Sequence, residues 1–213
     1  FGRSEELVRN MEHLYSVLGY DADNGLYGRL YVNGTFLQCR IKKAKKTNWK
    51  GYVFVIVEMT FTAPKLEWIT EERAQFFPQS ANQTNNGLNF PFNFPFNFAL
   101  SKRGYKTIEV DNTSPNDFKL IVYGPCVNPR ILINGYPYEV FCSLEKNEYM
   151  IIDSEAHTIV KHLSNWATSN LYNDRSLEHS VFEKIPSGTL TVNWSGEFGF
   201  DLILFLKRRE ARW

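Results

Sequence analysis

Residues 148–213 decide the fold: EYMIIDSEAHTIVKHLSNWATSNLYNDRSLEHSVFEKIPSGTLTVNWSGEFGFDLILFLKRREARW. The run Ile185–Gly188 (IPSG) is typical of a turn, because proline presets φ and glycine accepts the positive φ that most residues avoid. It leads into Thr189–Trp194, where apolar and polar residues alternate as in a half-buried strand. Three further strands are predicted at Tyr149–Asp153, His157–His162 and Phe200–Lys207. The segment predicts a sheet, and it offers no nucleophile, metal cage or phosphate loop.

Short apolar runs continue upstream of this segment, and turn residues separate them. The predicted strands there are Tyr105–Val110, Phe118–Tyr123, Arg130–Ile133 and Tyr138–Cys142. Together with the closing segment they give about eight short strands, with turn signals roughly every eight to twelve residues. This spacing predicts a β-sandwich of the jelly-roll or galectin-like type.

An amphipathic helix is predicted near the start of the chain. Apolar residues recur at spacings of three and four between Glu5 and Leu18, and this is the helical period. Ser4 is a good N-cap and Gly19 is a typical end, so we place the helix at Glu5–Leu18. Such a helix needs a sheet or a partner helix to cover its apolar stripe.

A hairpin, a basic loop and a long strand follow the helix. Asn33-Gly34 suits the type I′ turn of a hairpin with strands at Gly25–Val32 and Thr35–Ile41. The lysine-rich run 42–46 is expected to form a loop. Trp49–Thr62 is expected to be a strand that is covered on both faces in its first half. These elements predict a compact α+β unit.

The composition changes after a short helical turn predicted at Leu66–Ala74. Gln79–Gly87 is rich in Asn and Gln, and Asn89–Phe98 (NFPFNFPFNF) repeats Asn-Phe-Pro-Phe. Proline at every fourth position excludes a helix or a central strand, which leaves an extended conformation. So many phenylalanines must lie against an apolar surface of this chain or of a neighbour. We therefore predict domains at 1–78 and 99–213, joined by a linker at 79–98.

The composition excludes several classes of protein. The net charge is +1, from 24 basic and 23 acidic residues, and gives no overall argument for nucleic acid or an anionic membrane. Cys39, Cys126 and Cys142 are widely spaced, which fits reduced core or strand residues better than a disulfide framework or a zinc site. No apolar run approaches the roughly 18 residues of a membrane span, and we expect no signal peptide. Since the sequence starts at Phe1 without Met, we expect part of the N-terminal domain to be missing.

Histidines and carboxylate pairs are the candidates for chemistry. They are His13, His157, His162 and His179, and the pairs Glu145/Glu148 and Asp153/Glu155. No set of histidines has the ligand pattern of a metal site. A carboxylate pair suits a glycosidase only at a defined separation, and a hydrolase is accordingly disfavoured. We predict no enzymatic activity, no metal and no cofactor.

Two groups of residues are candidates for binding. The lysine run beside Trp49 and Tyr52 suits phosphate contacts and base stacking, although a solvated loop is the commoner interpretation. Trp166, Tyr172 and Trp194 suit an aromatic platform for a sugar. The alternative for them is packing, with Trp194 in the core and Trp166 under a loop. A fold by itself does not transfer a sugar site.

The order of these motifs resembles the distal tail proteins of long-tailed, siphovirus-type bacteriophages. A helix and hairpin precede a long strand ending in TFTAP at 60–64. An FPFNF segment and YGPCVNPRI at 123–131 follow, and the chain closes with IID, TIV, IPSGTLTVNW and LILFLKRR. The likeness covers nearly the whole chain in order, although the family usually carries several strands before the helix.

The resemblance implies a virion structural protein of a phage, a prophage or a phage-tail-like bacteriocin. Residues 1–78 would form a homo-hexameric ring on the tail tube. Residues 99–213 would project towards the tail-tip hub, the baseplate and receptor-binding proteins used in host adsorption. DNA would pass through the ring as cargo, and assembly would take place in the bacterial cytoplasm without membrane insertion. The candidate contact residues are Leu7, Met11, Leu14, Phe90, Phe92, Phe94 and Phe96, and the candidate lumen-facing lysines are Lys42, Lys43, Lys45 and Lys46.

The rival from another class is a carbohydrate-binding β-sandwich module of a host-binding or cell-wall protein. It accounts for the sandwich and the tryptophans, but it leaves the helical first domain without a role. A glycan screen distinguishes the two, because the tail-protein interpretation requires no sugar.

Overall fold

The structure is a computed structural model and describes residues 2–50, 54–79 and 104–211. The described part is mainly antiparallel β with a small helical component, as predicted. The helices are α1 (Gly2–Asp23) and the 3-10 turn η1 (Tyr172–Asp174). The strands are β1 (Gly28–Val32), β2 (Thr35–Lys50), β3 (Phe54–Thr62), β4 (Trp68–Phe76), β5 (Gly104–Val110), β6 (Asp117–Tyr123), β7 (Cys126–Val127), β8 (Arg130–Ile133), β9 (Tyr136–Glu139), β10 (Ser143–Leu144), β11 (Tyr149–Asp153), β12 (Thr158–His162), β13 (Thr168–Asn170), β14 (Gly188–Trp194) and β15 (Phe200–Arg208).

The chain divides into two compact units. The first unit is Phe1–Thr70 with Lys207–Trp213, and the second is Glu71–Leu206. Residues 71–78 therefore belong to the second unit, whereas the predicted first domain extends to residue 78. The predicted linker, 79–98, lies outside the described residues from residue 80 onwards, and it stays a prediction.

The first unit begins with a helix that is longer than predicted at both ends. Ser4 lies inside α1, and the helix continues past Gly19 to Asp23. The cap is formed at Gly25, whose φ of +67° is the left-handed conformation favoured by glycine. Leu26 N donates to the Asp21 carbonyl at 2.8 Å, and Gly25 N donates to the carbonyl of Ala22 at 3.3 Å. These two bonds form a Schellman motif, so local capping chemistry ends the helix six residues after the predicted stop.

The hairpin of the first unit follows the sequence closely. Val32 pairs with Thr35 across a two-residue turn. Asn33 and Gly34 have φ values of +47° and +77°, which is the pair of positive values that a type I′ turn requires. The hydroxyl of Thr35 donates to the Val32 carbonyl at 2.7 Å and closes the turn. The predicted hairpin is thus confirmed, with β1 shorter at its start.

Strand β2 continues through the lysines that were expected to form a loop. It reaches Lys50 and pairs antiparallel with β3. The register shifts between Ile41 and Lys43, so Lys42 is the extra residue of a bulge. The predicted basic loop is therefore wrong. The reason is that β3 pairs with Lys43–Thr47, and lysine stems can lie along a sheet while their charges stay in water.

Strand β3 buries only one of its faces. It begins at Phe54, and Trp49 belongs to β2. Among the described side chains, Val55, Val57, Met59 and Phe61 are half-buried. Ile56 on the other face is 47% exposed, so the expected covering of both faces is wrong there.

The second unit is a sandwich of two sheets. One sheet has the strand order β4, β15, β6, β11, β12 and β13, and the other has the order β5, β14, β8 and β9. Strands β8, β11 and β14 alternate more and less buried residues, as a period of two requires. Strand β15 is buried along most of its length and does not alternate. Ring contacts join the sheets: Phe118 meets Tyr138 edge to face at 5.2 Å, and Trp194 meets Phe200 edge to face at 5.3 Å. The predicted galectin-like β-sandwich is confirmed.

Strand β4 occupies the segment that was predicted as a helical turn. Its burial alternates along Trp68–Phe76 and ends at the buried Phe76. The sequence WITEERAQF contains good helix formers, but pairing with β2 and β15 places it in a sheet. Long-range strand pairing thus overrides local propensity. Strand β9 also ends earlier than the predicted Tyr138–Cys142 strand, and β7, β10 and β13 are additional short strands.

Candidate interaction surfaces

The inner face of α1 carries the contact residues predicted from the sequence. Leu7, Met11 and Leu14 are half-buried in the first unit. Val17 and Tyr20, which are 53% and 64% exposed, follow Leu14 at successive spacings of three residues and turn away from the inner face along the helix surface. α1 therefore has exposed apolar surface next to its half-buried residues, and the predicted interface role of Leu7, Met11 and Leu14 stays a prediction.

The four lysines of β2 are exposed but do not share one face. Lys43 and Lys45 lie opposite Thr60 and Glu58 of β3, on the face directed towards solvent. Lys46 lies on the other face, and its Nζ sits 5.2 Å from the centre of the Tyr15 ring of α1. A cation over an aromatic face stabilises by about 0.5–1 kcal/mol at exposed sites. Of the four candidate lumen-facing lysines, Lys43 and Lys45 therefore share one face, and Lys42 lies beside them in the bulge.

The predicted sugar platform is not assembled. Trp194 is 6% exposed, and its ring packs against Phe76 and Phe200 in the core, with Nε1 donating to the carbonyl of Phe198 at 3.0 Å. Trp166 is 91% exposed at the turn between β12 and β13. The expectation that Trp166 packs under a loop is therefore wrong. A ring buried in the core offers no face to a sugar.

Cysteines and histidines form no metal site in the part of the chain that the structure describes. The three cysteines are free, and burial raises the pKa of Cys126 to about 12. Burial also raises the pKa of Cys39 and Cys142, so these thiols are poor nucleophiles at neutral pH. His162 stacks on Tyr149 at 4.5 Å between ring centres, and it acts as a packing residue.

The candidate carboxylate pairs serve the fold. Glu148 accepts hydrogen bonds from the Glu145 backbone at 2.8 Å and from Lys161 at 2.7 Å. These bonds lower its pKa below the ordinary value. Asp153 accepts from the backbone of Glu155 at 3.1 Å and closes the β11–β12 turn. A carboxylate held by turn and strand donors is already occupied, and it is poorly placed for acid–base chemistry.

The second unit contains a cleft that is not among the predicted sites. It has a volume of about 300 Å³ and lies between the end of β4, the turn after β6 and the turn between β14 and β15. Apolar side chains form one side of it, among them Phe77, which is 69% exposed. Gly199 allows the turn between β14 and β15 to lie close to the end of β4, because a Cβ at this position would lie 3.0 Å from the Phe76 carbonyl and from Pro78. The lining residues are Arg73, Gln75, Phe76, Phe77, Pro78, Tyr123, Gly124, Pro125, Glu197, Phe198, Gly199 and Asp201.

A buried carboxylate organises the polar side of the cleft. Asp201 is 3% exposed, accepts a hydrogen bond from the Tyr123 hydroxyl at 2.7 Å and pairs with Arg73. Burial raises the pKa of Asp201, but the bonds from Arg73 and Tyr123 outweigh that effect and leave the pKa below its ordinary value. Burial and the bond to Asp201 raise the pKa of Tyr123. At neutral pH the site therefore holds an ionised carboxylate between a cation and a neutral phenol.

The signal for this site was a lone acid within an apolar strand. Asp201 interrupts the run FDLILFLK of β15, and a buried charge needs a partner. The partner Arg73 lies 128 residues away in the sequence. Arg73 and Asp201 meet only because of the strand order. The sequence therefore indicates that Asp201 needs a partner, but it does not indicate that the partner is Arg73.

Comparison with known proteins shows that the fold of this chain is similar to solved structures. No family model and no curated protein matches the sequence. The fold is similar to the Dit protein of phage SPP1, described as a paradigm of the hub adsorption apparatus in phages that infect Gram-positive bacteria. The identity is 8%, the TM-score is 0.52, and the match covers 96% of this chain and 72% of that chain. It is also similar to a chain of the phage P2 baseplate in its activated conformation with calcium. There the identity is 14%, the TM-score is 0.52, and the coverage is 98% and 76%.

The strontium form of the same P2 baseplate gives a TM-score of 0.51 at 14% identity, with 98% of this chain and 76% of that chain covered. All three matches extend over both units of this chain. No helix in the described residues is both long and apolar enough to cross a bilayer.

Proposed function

We propose that this chain is a structural component of a phage tail tip, a distal tail protein that joins the tail tube to the adsorption apparatus. The observation that carries the proposal is a likeness to baseplate and hub proteins over 96–98% of this chain. A similarity limited to the β-sandwich would support this function only weakly, since β-sandwiches serve many functions. A likeness that extends over both units is more specific than one confined to the sandwich.

The mechanism on this proposal is assembly. The first unit forms a homo-hexameric ring, in which each subunit contacts two neighbours through two different faces. α1 and the β2–β3 hairpin are the candidate faces, since α1 exposes Val17 and Tyr20 and β2 exposes Lys43 and Lys45. The second unit reaches towards the tail-tip hub and receptor-binding proteins. No bond-making chemistry is required.

The environment of the chain follows from that role. The protein is part of the virion at the tip of the tail, and it assembles in the cytoplasm of the infected bacterium. DNA passes through the ring as cargo during infection. The exposed lysines of β2 suit a lumen-facing or neighbour-facing position, because a few positive charges can sit beside DNA without reading its sequence.

The solution mass of the protein tests this proposal. We expect light scattering on a size-exclusion column to give about six times the chain mass of 24.8 kDa. Negative-stain images of that peak should show rings. A monomer at all concentrations, both alone and mixed with tail-tube protein, would contradict ring formation by this chain.

A pair of variants identifies the contact face. Val17→Asp and Tyr20→Asp introduce charges on the exposed side of α1, and they should shift the mass towards the monomer without lowering the melting temperature of the second unit. Leu177→Asp is the matched control, because Leu177 is 82% exposed in the other unit. Equal masses for all three variants would remove α1 from the interface.

A further inference from the structure

Two cysteines and a methionine of the second unit come together, and the proposed assembly makes no use of their sulfur atoms. The Cys142 thiol lies 3.9 Å from the Met150 sulfur, and strand pairing places Cys126 beside Cys142. We propose that Cys126, Cys142 and Met150 bind one soft monovalent metal ion, Cu(I). This site goes beyond the phage function and does not depend on it.

Strand register places the two cysteines on one face of the β7–β10 ribbon. Cys126 pairs with Leu144, and two residues further along Asn128 N donates to the Cys142 carbonyl at 2.8 Å. Cys126 and Cys142 are therefore diagonal neighbours, whose side chains point to the same side and whose Cβ atoms lie within about 7–8 Å. Burial agrees with this register, because Leu144 is buried and both cysteines pack against the core, whereas Val127 between these positions is exposed.

Met150 brings a third sulfur atom from β11 of the larger sheet. Its side chain is fully buried, and its thioether lies against the Cys142 thiol. An ion with two metal–sulfur bonds of about 2.3 Å, the length found for thiolates on zinc, joins sulfur atoms that are up to about 4.6 Å apart. The observed separation of 3.9 Å is within that limit. The thiol and the thioether can therefore be ligands of the same ion.

The charges around the two thiols suit a bound cation. Burial, with a smaller contribution from Cys142, raises the pKa of Cys126 to about 12. Both thiols are therefore protonated at neutral pH, and binding of Cu(I) releases two protons as two thiolates form. Lys161 Nζ donates to the carbonyl of Ser143 at 2.8 Å, next to Cys142. Two thiolates with one Cu(I) ion carry one excess negative charge, and the Lys161 ammonium is already in place beside it.

The ligand set selects the metal. Thiolate and thioether sulfur atoms are soft ligands and favour Cu(I). Structural zinc sites have four ligands in a tetrahedron. In the ranges 2–50, 54–79 and 104–211, no three Cys, His, Asp or Glu side chains form a group that could hold a metal ion. Two cysteines and a methionine therefore lack the further ligands that zinc requires, and Mg²⁺ and Ca²⁺ need oxygen ligands instead.

Transfer of Cu(I) from a coloured chelator tests the proposal. The full chain, reduced and kept free of oxygen, is titrated into the Cu(I) complex of bicinchoninate. The loss of the colour of this complex measures how much Cu(I) moves to the protein. We expect the protein to take one equivalent of Cu(I) per chain. Retention of all Cu(I) by the chelator at every protein concentration would overturn the proposal.

Variants assign the three ligands. Met150→Leu keeps every thiol and nearly the same side-chain volume. It should bind Cu(I) at least about tenfold more weakly, because even the loss of a residue that only orients a ligand costs about that much in metal affinity. Cys126→Ser and Cys142→Ser should each lose the bound equivalent. Cys39→Ser is the control, because Cys39 belongs to the first unit, and its affinity should equal that of wild type. Melting curves establish that each variant is folded.

Two outcomes of this series would contradict the site. Wild-type affinity in Met150→Leu would show that the thioether is not a ligand, and loss of binding in Cys39→Ser would place the ion in the first unit. X-ray absorption of the loaded wild-type protein is a second measurement that needs no variant. We expect three sulfur neighbours at about 2.3 Å from the copper. Two sulfur neighbours, or nitrogen and oxygen neighbours, would overturn the proposed ligand set.

Discussion

The two units of this protein bury their apolar side chains to different extents. The second unit encloses a continuous core in which Phe118, Ile185, Phe200 and other residues are fully buried. In the described part of the first unit, the buried hydrophobic residues are Phe36, Leu37, Cys39 and Ile69. No described side chain of α1 is buried.

This difference shows where each unit obtains its stability. A sandwich with an enclosed core supplies its own hydrophobic free energy, at about 25 cal/mol per Å² of apolar surface removed from water. A helix that is half-covered on one side and exposed on the other gains more when another surface covers it. The contrast therefore supports the proposed assembly through the first unit.

The largest expected effect is the loss of a core ring in the second unit. Phe200 stacks on Phe76 at 4.3 Å between ring centres and is fully buried. Phe200→Ala should lower the free energy of unfolding by about 3–5 kcal/mol, measured by urea denaturation followed by near-UV circular dichroism. The matched change in the first unit, Leu14→Ala, should cost about 1 kcal/mol because Leu14 is only half-buried. If the two variants lost similar amounts of unfolding free energy, the proposed difference in core burial between the units would be contradicted.

The next effect concerns the buried carboxylate of the cleft. Asp201→Asn removes the charge that pairs with Arg73 and weakens the hydrogen bond from Tyr123. We expect a loss of about 1–3 kcal/mol at pH 7. Glu197→Gln is the control, because Glu197 lines the same cleft but is exposed. An Asp201→Asn variant as stable as wild type would show that the pair contributes no net stability.

Acid should weaken the second unit through the same residue. The folded-state pKa of Asp201 lies below its ordinary value, whereas the unfolded-state pKa is about 3.9. The stabilisation is therefore complete above the unfolded value and is lost as pH falls through the folded value. Unfolding free energies at pH 7, 4 and 3 should converge between wild type and Asp201→Asn. A difference that stays constant with pH would exclude this linkage.

The smallest effect on stability is expected at the lysines of β2. Lys43→Ser/Lys45→Ser should change the unfolding free energy of the chain by less than about 0.5 kcal/mol, because both side chains are exposed. Ring assembly or infectivity should nevertheless fall if this face meets a neighbour or the lumen. Lys46→Ser, which loses the contact with Tyr15 on the other face, is the control. Normal assembly and infection with both lysines replaced would remove the basic face from the proposed function.

Local signals account for the parts of the fold that were predicted correctly. Asn33-Gly34 adopts the type I′ turn, and Gly188 has a φ of +94° at the predicted IPSG turn. β8 and β11 occupy their predicted ranges. In the turns a few neighbouring residues fix the backbone. The two strands are recognisable from their local apolar pattern, although each pairs with a strand that is distant in the sequence.

The errors occur where distant strands decide the outcome. The helical turn at Leu66–Ala74 became β4 because β2 and β15 lie beside it. The lysine loop became part of β2 because β3 pairs with it. Trp166 and Trp194 were grouped by residue type, but one lies at an exposed turn and the other in the core.

The turns, most of the strands, the helix and the order of elements that resembles distal tail proteins could be predicted from the residues alone. These follow from φ preferences and apolar periodicity, which act over a few residues. The contact between Arg73 and Asp201, the cleft beside them and the opposite faces of Lys43 and Lys46 could be seen only in the fold. Those facts depend on strand order and register, because pairing joins residues whose separation in the chain carries no information about their contact.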